Sequence, residues 1–195
     1  MLEQGGLLAR HSIRRPTIVA FAVLSIAVLA GAAPVEVRGY GPWKLGMSKA
    51  EVRAVKEHGP YRDVASTGGL ETANGFFGVT RCTVSFIFGD AGLLKIQIWV
   101  YEGHSSEEAV AGWSRVYNFF RRTYGEAENQ ALQLPPPVDD DAFIARLRTA
   151  LETAPQNQTI KMQMAPTPMP EGATVFSSII RDPRFGYYVF VYYQR

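Results

Sequence analysis

The 195-residue chain of 21.6 kDa is 47% hydrophobic and 19% charged, with mean hydropathy near zero. These values exclude a disordered tail, a collagen-like repeat and a polytopic membrane protein. The formal charge of +2 is misleading, because the first 32 residues hold Arg10, Arg14 and Arg15 against Glu3. Removing that segment from 20 basic and 18 acidic residues leaves 17 of each, so the remaining chain is neutral and no nucleic-acid partner is expected.

Arg10, His11, Arg14 and Arg15 precede an uncharged run over residues 18–29, which ends in Ala30-Gly31-Ala32-Ala33. Small residues at that spacing suit a signal peptidase. The segment 1–32 is therefore expected to be a secretory signal cleaved after Ala32, since cleavage one residue later would leave Pro34 first. Residues 18–33 are shorter than the roughly 20 needed to cross the hydrocarbon core, so an uncleaved N-terminal anchor is the alternative. It is also the only membrane association this reading admits. Pro16 and Thr17 follow Arg14-Arg15 where a twin-arginine signal has apolar residues, and the absence of a nearby cysteine removes lipid attachment.

Residues 33–195 read as one domain. Ser48 and Glu51 form a capping box, with Met47 and Val52 placed as a hydrophobic staple, and the helix they open is expected to run to Gly59-Pro60. Residues 61–78 give a poor signal, with one strand near 61–66 and a glycine-rich loop. From 79 to 88 the chain alternates, with Cys82, Val84, Phe86 and Phe88 opposite Arg81, Thr83 and Ser85. After the turn Gly89-Asp90-Ala91-Gly92, Leu94, Ile96, Ile98 and Val100 continue the apolar face against Lys95, Gln97, Trp99 and Tyr101.

Ser105-Ser106-Glu107-Glu108 is read as a second capping box, opening a helix with one apolar stripe at Val110, Trp113, Tyr117, Phe120 and Tyr124. Leu134-Pro135-Pro136-Pro137 is a stiff connector. Asp139-Asp140-Asp141 then heads a third helix, the insertion over 139–153, with Phe143, Ile144, Leu147 and Leu151 inward. Strands are expected over 159–164, 173–181 and 187–193, the last two joined by the turn at 182–186. This order predicts an α+β fold, helices packed on one face of an antiparallel sheet as a two-layer sandwich. Five clear strands, leaving aside the weak one near 61–66, fall short of the eight spans of about ten residues that a small membrane barrel needs.

The run Leu45-Gly46-Met47-Ser48-Lys49-Ala50-Glu51-Val52, the later Gly59-Pro60 and the hairpin Phe-x-Phe-Gly-Asp-x-Gly-Leu-Leu from Phe86 to Leu94 carry a resemblance. The chain resembles the BamE/SmpA outer-membrane lipoproteins and the secreted β-lactamase inhibitor proteins. That resemblance implies a short helical pair against an antiparallel sheet and an exported, non-catalytic protein-binding module. Thr123-Tyr124-Gly125, closing a long helix before further strands, is similar to variants with an extended or doubled sheet. The lipid-attachment cysteine is absent, and the helix at 139–153 is additional.

Catalysis needs titratable groups brought together, and residues 33–195 hold only two histidines, His58 and His104, and the single cysteine Cys82. Each has an ordinary reading: His58 at a helix C-terminus, His104 in a loop, Cys82 in a core-facing strand. The chain is thus expected to be no enzyme, with no cofactor and no metal. A Cys/His hydrolase built from these three is the remaining alternative, and a secreted inhibitor or immunity protein against an enzyme is the nearer one. The candidate protein-binding residues are Trp99, Tyr101, Tyr188, Phe190 and Tyr192, which strict alternation places together on the sheet face away from the core. Mass spectrometry of the protein recovered from its native cells is expected to give a chain beginning at Ala33 in the periplasm or medium; an intact N-terminus in the membrane fraction reverses that expectation.

Overall fold

A computed structural model of the chain describes residues 35–129 and 139–195. The signal segment, its cleavage point and the proline connector at 134–137 lie outside the described residues. The N-terminal part begins with a small hairpin of β1 (Gly39–Tyr40) and β2 (Trp43–Lys44). The first helix, α1 (Lys49–Arg53), starts where its local devices dictate: Ser48 N donates to Glu51 Oε2 at 2.7 Å and Glu51 N donates to Ser48 Oγ at 3.3 Å.

The helix does not reach Gly59. Val55 leaves helical backbone at φ −77°, ψ 75°, and a 3-10 turn, Lys56–His58, follows. The Val55 carbonyl accepts from the His58 amide at 3.3 Å and from Tyr61 Oη at 2.9 Å, and the Tyr61 hydroxyl oxygen accepts from Trp43 Nε1 at 3.1 Å. The Val55 amide donates to Val52 O at 3.2 Å in place of the Glu51 carbonyl, so the last turn tightens, and a five-residue helix has little cooperativity with which to resist it.

The body of the protein is one antiparallel sheet. In chain order it contains β3 (Arg62–Val64), β4 (Gly69–Phe77), β5 (Thr80–Gly89), β6 (Gly92–Gly103), β7 (Glu126–Glu128), β8 (Ile160–Thr167), β9 (Thr174–Asp182) and β10 (Gly186–Gln194), in the spatial order β3-β4-β5-β6-β10-β9-β8-β7. The two longer helices are α2 (Ser106–Tyr124) and α3 (Asp140–Thr153). This overturns the two-layer α+β sandwich: the chain is predominantly antiparallel β, and only α2 and α3 exceed five residues among the described helices. The strand count set against a barrel is corrected with it. β3 and β7 stand at opposite ends of the sheet order. No helix of the described residues is long and apolar enough to cross a membrane.

β3 falls within the strand expected near 61–66, and two strands of the large sheet, β4 and β7, were not expected, for a physical reason. β7 has three residues, too few to show alternation. β4 is disguised by glycine, which in a strand marks close approach of a neighbour. A Cβ at Gly69 would lie 2.3 Å from the Phe86 carbonyl oxygen, and one at Gly75 would lie 2.3 Å from a Val84 methyl.

The core follows one row of opposed residues across six strands: Thr72, Val84, Ile98, Val191, Ser177 and Met164, all buried. The stripe of α2 packs against it as expected, with Val110, Trp113, Tyr117, Phe120 and Tyr124 all buried. Ser105 Oγ accepts from the Glu108 amide at 3.2 Å, which is half of the expected capping box. Ser177 is a polar residue in the middle of the row, and it is fully used: it accepts from Trp113 Nε1 at 2.9 Å and donates to the Phe190 carbonyl at 2.6 Å. In α3, Asp139 accepts the Ala142 amide at 2.6 Å, and Phe143 stacks on Tyr117 at 4.1 Å. The C-terminal carbonyls of that helix are met by buried Arg181, which donates to Leu151 O at 2.7 Å, to Ala154 O at 3.3 Å and to Pro155 O.

The arrangement makes two positions sensitive for different reasons. Gly69→Ala is expected to cost about 1–3 kcal/mol because its methyl meets backbone that cannot move without breaking the β4–β5 ladder. Arg181→Ala is expected to cost about 3 kcal/mol by leaving three helix-end carbonyls without their charged donor. Urea denaturation of the two variants measures both; a change below about 0.5 kcal/mol at either position removes the account given for it.

Candidate functional site

Opposed residues of antiparallel strands share a face. On the side of the sheet away from α2, one row runs Arg62, Glu71, Ser85, Gln97, Tyr192 and Phe176 from β3 to β9. The next row is Thr83, Trp99, Phe190, Ser178 and Gln163, from β5 to β8. Tyr188 stands beyond them on β10, opposite Glu102 and Ile180. Four of the five expected residues, Trp99, Tyr188, Phe190 and Tyr192, therefore meet on one face.

Tyr101 does not join them. The pairing of β10 with β6 passes from Phe190↔Trp99 directly to Val189↔Tyr101, so Val100 is an extra residue and the strand parity inverts after it. Tyr101 turns toward α2: its hydroxyl accepts from the Ser105 amide at 3.0 Å, and its Cβ lies 3.3 Å from where a Gly112 side chain would begin. The other end of β6 behaves alike. Leu94 is an extra residue between Phe88↔Leu93 and Ile87↔Lys95, so Leu93 is buried at 1% exposure and Leu94, expected in the core, is 41% exposed. Strict period-two counting fails at both ends of the longest strand, and for the same reason.

The aromatic residues on this face form a continuous contact chain. Trp99 meets Phe190 edge-on at 4.6 Å, Phe190 stacks parallel to Tyr188 at 5.9 Å and touches Tyr192 at 5.8 Å, and Tyr192 stacks on Phe176 at 4.6 Å. The Lys95 ammonium lies 4.0 Å over the Tyr192 ring. Phe190 and Tyr192 thereby retain only 6% and 9% of their surface, while Trp99, Tyr188 and Phe176 are partly exposed around them. The Trp99 indole is fixed by a polar relay: Nε1 donates to Ser85 Oγ at 3.0 Å, Ser85 donates to Glu71 at 3.2 Å, and Glu71 is paired with Arg62. The contacts that α2 and α3 make to the sheet through Trp113, Phe119, Tyr124 and Arg181 go to the opposite face.

Phe176 was not among the expected site residues, though its signal was present. Counting outward from the Asp182–Gly186 turn pairs 176 with 192, so the hairpin register alone brings Phe176 onto Tyr192. Gln163, Ser178, Lys95 and Glu71 required the order of strands and were not available to local reading.

Cys82, His58 and His104 are separately accommodated, and among the described residues no hydrogen bond joins any two of them. Cys82 faces the core opposite Gly75. His58 Nδ1 donates to the Asn74 carbonyl at 2.8 Å, with its ring 4.8 Å from that of Trp43. His104 Nδ1 lies over Gly186, 2.9 Å from where a Cβ would stand. Among the described residues no group of His, Cys, Asp and Glu is arranged to hold a metal ion. Comparison of the chain with protein-family models, curated proteins and solved structures finds no match to any of them.

Burial pushes the Cys82 thiol from an ordinary 9.0 up to about 12, and burial likewise raises the phenols of Tyr40, Tyr124 and Tyr193. The native state then holds these groups protonated while the unfolded chain ionises them first. Stability from this source is complete below pH 9 and is lost as pH rises toward 12. Urea titrations across that range should show the decline. Thiol reagents should label Cys82 slowly until the protein unfolds, whereas rapid native labelling at pH 8 contradicts the buried, protonated thiol.

Proposed function

We propose that the protein is an exported, non-catalytic binding module of the cell envelope that engages another protein through the aromatic face of its sheet. The observation that carries this reading is the arrangement of Trp99, Tyr188 and Phe176 as a partly exposed rim around Phe190 and Tyr192. Large aromatics held rigid by neighbours present contact area with little entropy left to lose, which is the composition of an interface hot spot. Trp99 is anchored through Ser85 and Glu71, so its orientation is set before a partner arrives. The signal-like segment 1–32 and the resemblance carried by residues 45–52 support the exported class of the reading.

The inversion at Val100 supplies a control within one strand. Trp99→Ala is expected to weaken capture of the envelope partner by about 2 kcal/mol or more with little change in the urea midpoint. Tyr101→Ala, two residues away, is expected to do the reverse: about 1–3 kcal/mol of stability is lost with its hydrogen bond and its packing on α2, and the folded fraction binds normally. Pull-down affinities and denaturation curves of both variants decide the matter. If Trp99→Ala lowers the melting temperature sharply while binding is unchanged, the residue is structural and the proposed face is wrong.

A further inference from the structure

The aromatic face has an electrostatic polarity that its own residues do not satisfy. At the β8–β9 side a groove of about 490 Å³ opens over Lys161, Gln163, Thr174 and Phe176, with Glu128 at its β7 end. Lys161 is exposed, and Lys95 enters the same region from β6, its ammonium resting on the Tyr192 ring. Among the described residues neither lysine has a carboxylate within ion-pair distance. The two also act on each other: partial burial, and then the charge of Lys161, hold the Lys95 ammonium below its ordinary range. An anion seated over the Tyr192–Phe176 stack meets the Lys95 ammonium, with Lys161 lining the same groove as Phe176.

We propose that this end of the face seats an acidic segment of the partner protein, its carboxylates pairing with Lys95 and Lys161 while its apolar side chains lie on Phe176 and Tyr192. The inference rests on the protein-binding reading of the face and narrows it. Charge complementarity selects the occupant: a basic segment meets two unpaired ammonium groups, and a purely apolar one leaves them desolvated without a counter-charge. Glu128, opposite Ala165, lines the far end of the groove, where its carboxylate repels a second one.

The test titrates the purified protein calorimetrically with a random copolymer of glutamate and tyrosine, using polylysine and inorganic phosphate as comparison probes. The copolymer is expected to bind and to weaken as salt is raised, while polylysine shows no binding and phosphate no saturable heat. Lys161→Glu, an exposed substitution that leaves the fold intact, and the double variant K95Q/K161Q are each expected to weaken the copolymer by about tenfold or more, the equivalent of about 1.4 kcal/mol. Unchanged copolymer binding in Lys161→Glu overturns the proposal, as does saturable phosphate binding of equal strength, which would mark a simple anion site. The failures are separable. A natural partner lost with Trp99→Ala but indifferent to Lys161→Glu leaves the binding face standing and removes the acidic segment; a partner indifferent to Trp99→Ala removes both.

Discussion

The pairing of β10 with β6 joins what are otherwise two separate antiparallel units. Strands β3 to β6 come from the first half of the chain and β7 to β10 from the second, with α2 between the two groups and α3 between β7 and β8. Only this ladder, from Gly103↔Tyr187 to Lys95↔Gln194, makes the two halves one sheet. It places Ile98 beside Val191 on one side and Trp99 beside Phe190 on the other. The core under α2 and the aromatic face above it are consequences of the same register, so neither can change by one residue without the other.

The extra residue at Val100 modifies that register at a chosen point. After it Tyr101 and Val189 lie together under α2, and Gly112 is the helix residue that leaves room for them. The bulge thus serves the helix at one end of β6 while Trp99 and Gln97 remain on the opposite face. Buried polar groups then hold the pieces in place. Ser177 ties α2 to the β9–β10 ladder, and Arg181 ties the end of α3 to β9. Each would be costly if unpaired, and each therefore favours one seating of its helix over others of similar apolar content.

Much of this was legible locally. The stripe of α2, the Ser48–Glu51 box, the Asp139 cap and the two long hairpins follow from periods and caps that act within a few residues. The length of α1 did not, because its last amides turn to i−3 acceptors and Tyr61 binds the Val55 carbonyl from outside the segment. β4 did not, because its glycines answer to Phe86 and Val84 on the neighbouring strand. The candidate face was four-fifths visible by alternation; Tyr101 was misassigned because a bulge is defined by the partner strand and leaves no mark in its own sequence.

The sequence by itself determined the elements whose causes are local: where α2 and α3 begin, which of their sides is apolar, where hairpins turn, and that Tyr188, Phe190 and Tyr192 share a side of their strand. Tertiary structure alone decided which strands became neighbours, how many formed the sheet, where β6 gained its extra residues, and hence that Phe176 and Lys95 join the aromatic face while Tyr101 leaves it. The physical reason is that side-chain direction within an element is set by backbone geometry of a few residues. Strand order and register are set by the simultaneous burial of residues some ninety positions apart, such as Ile98 and Val191, which no local pattern encodes.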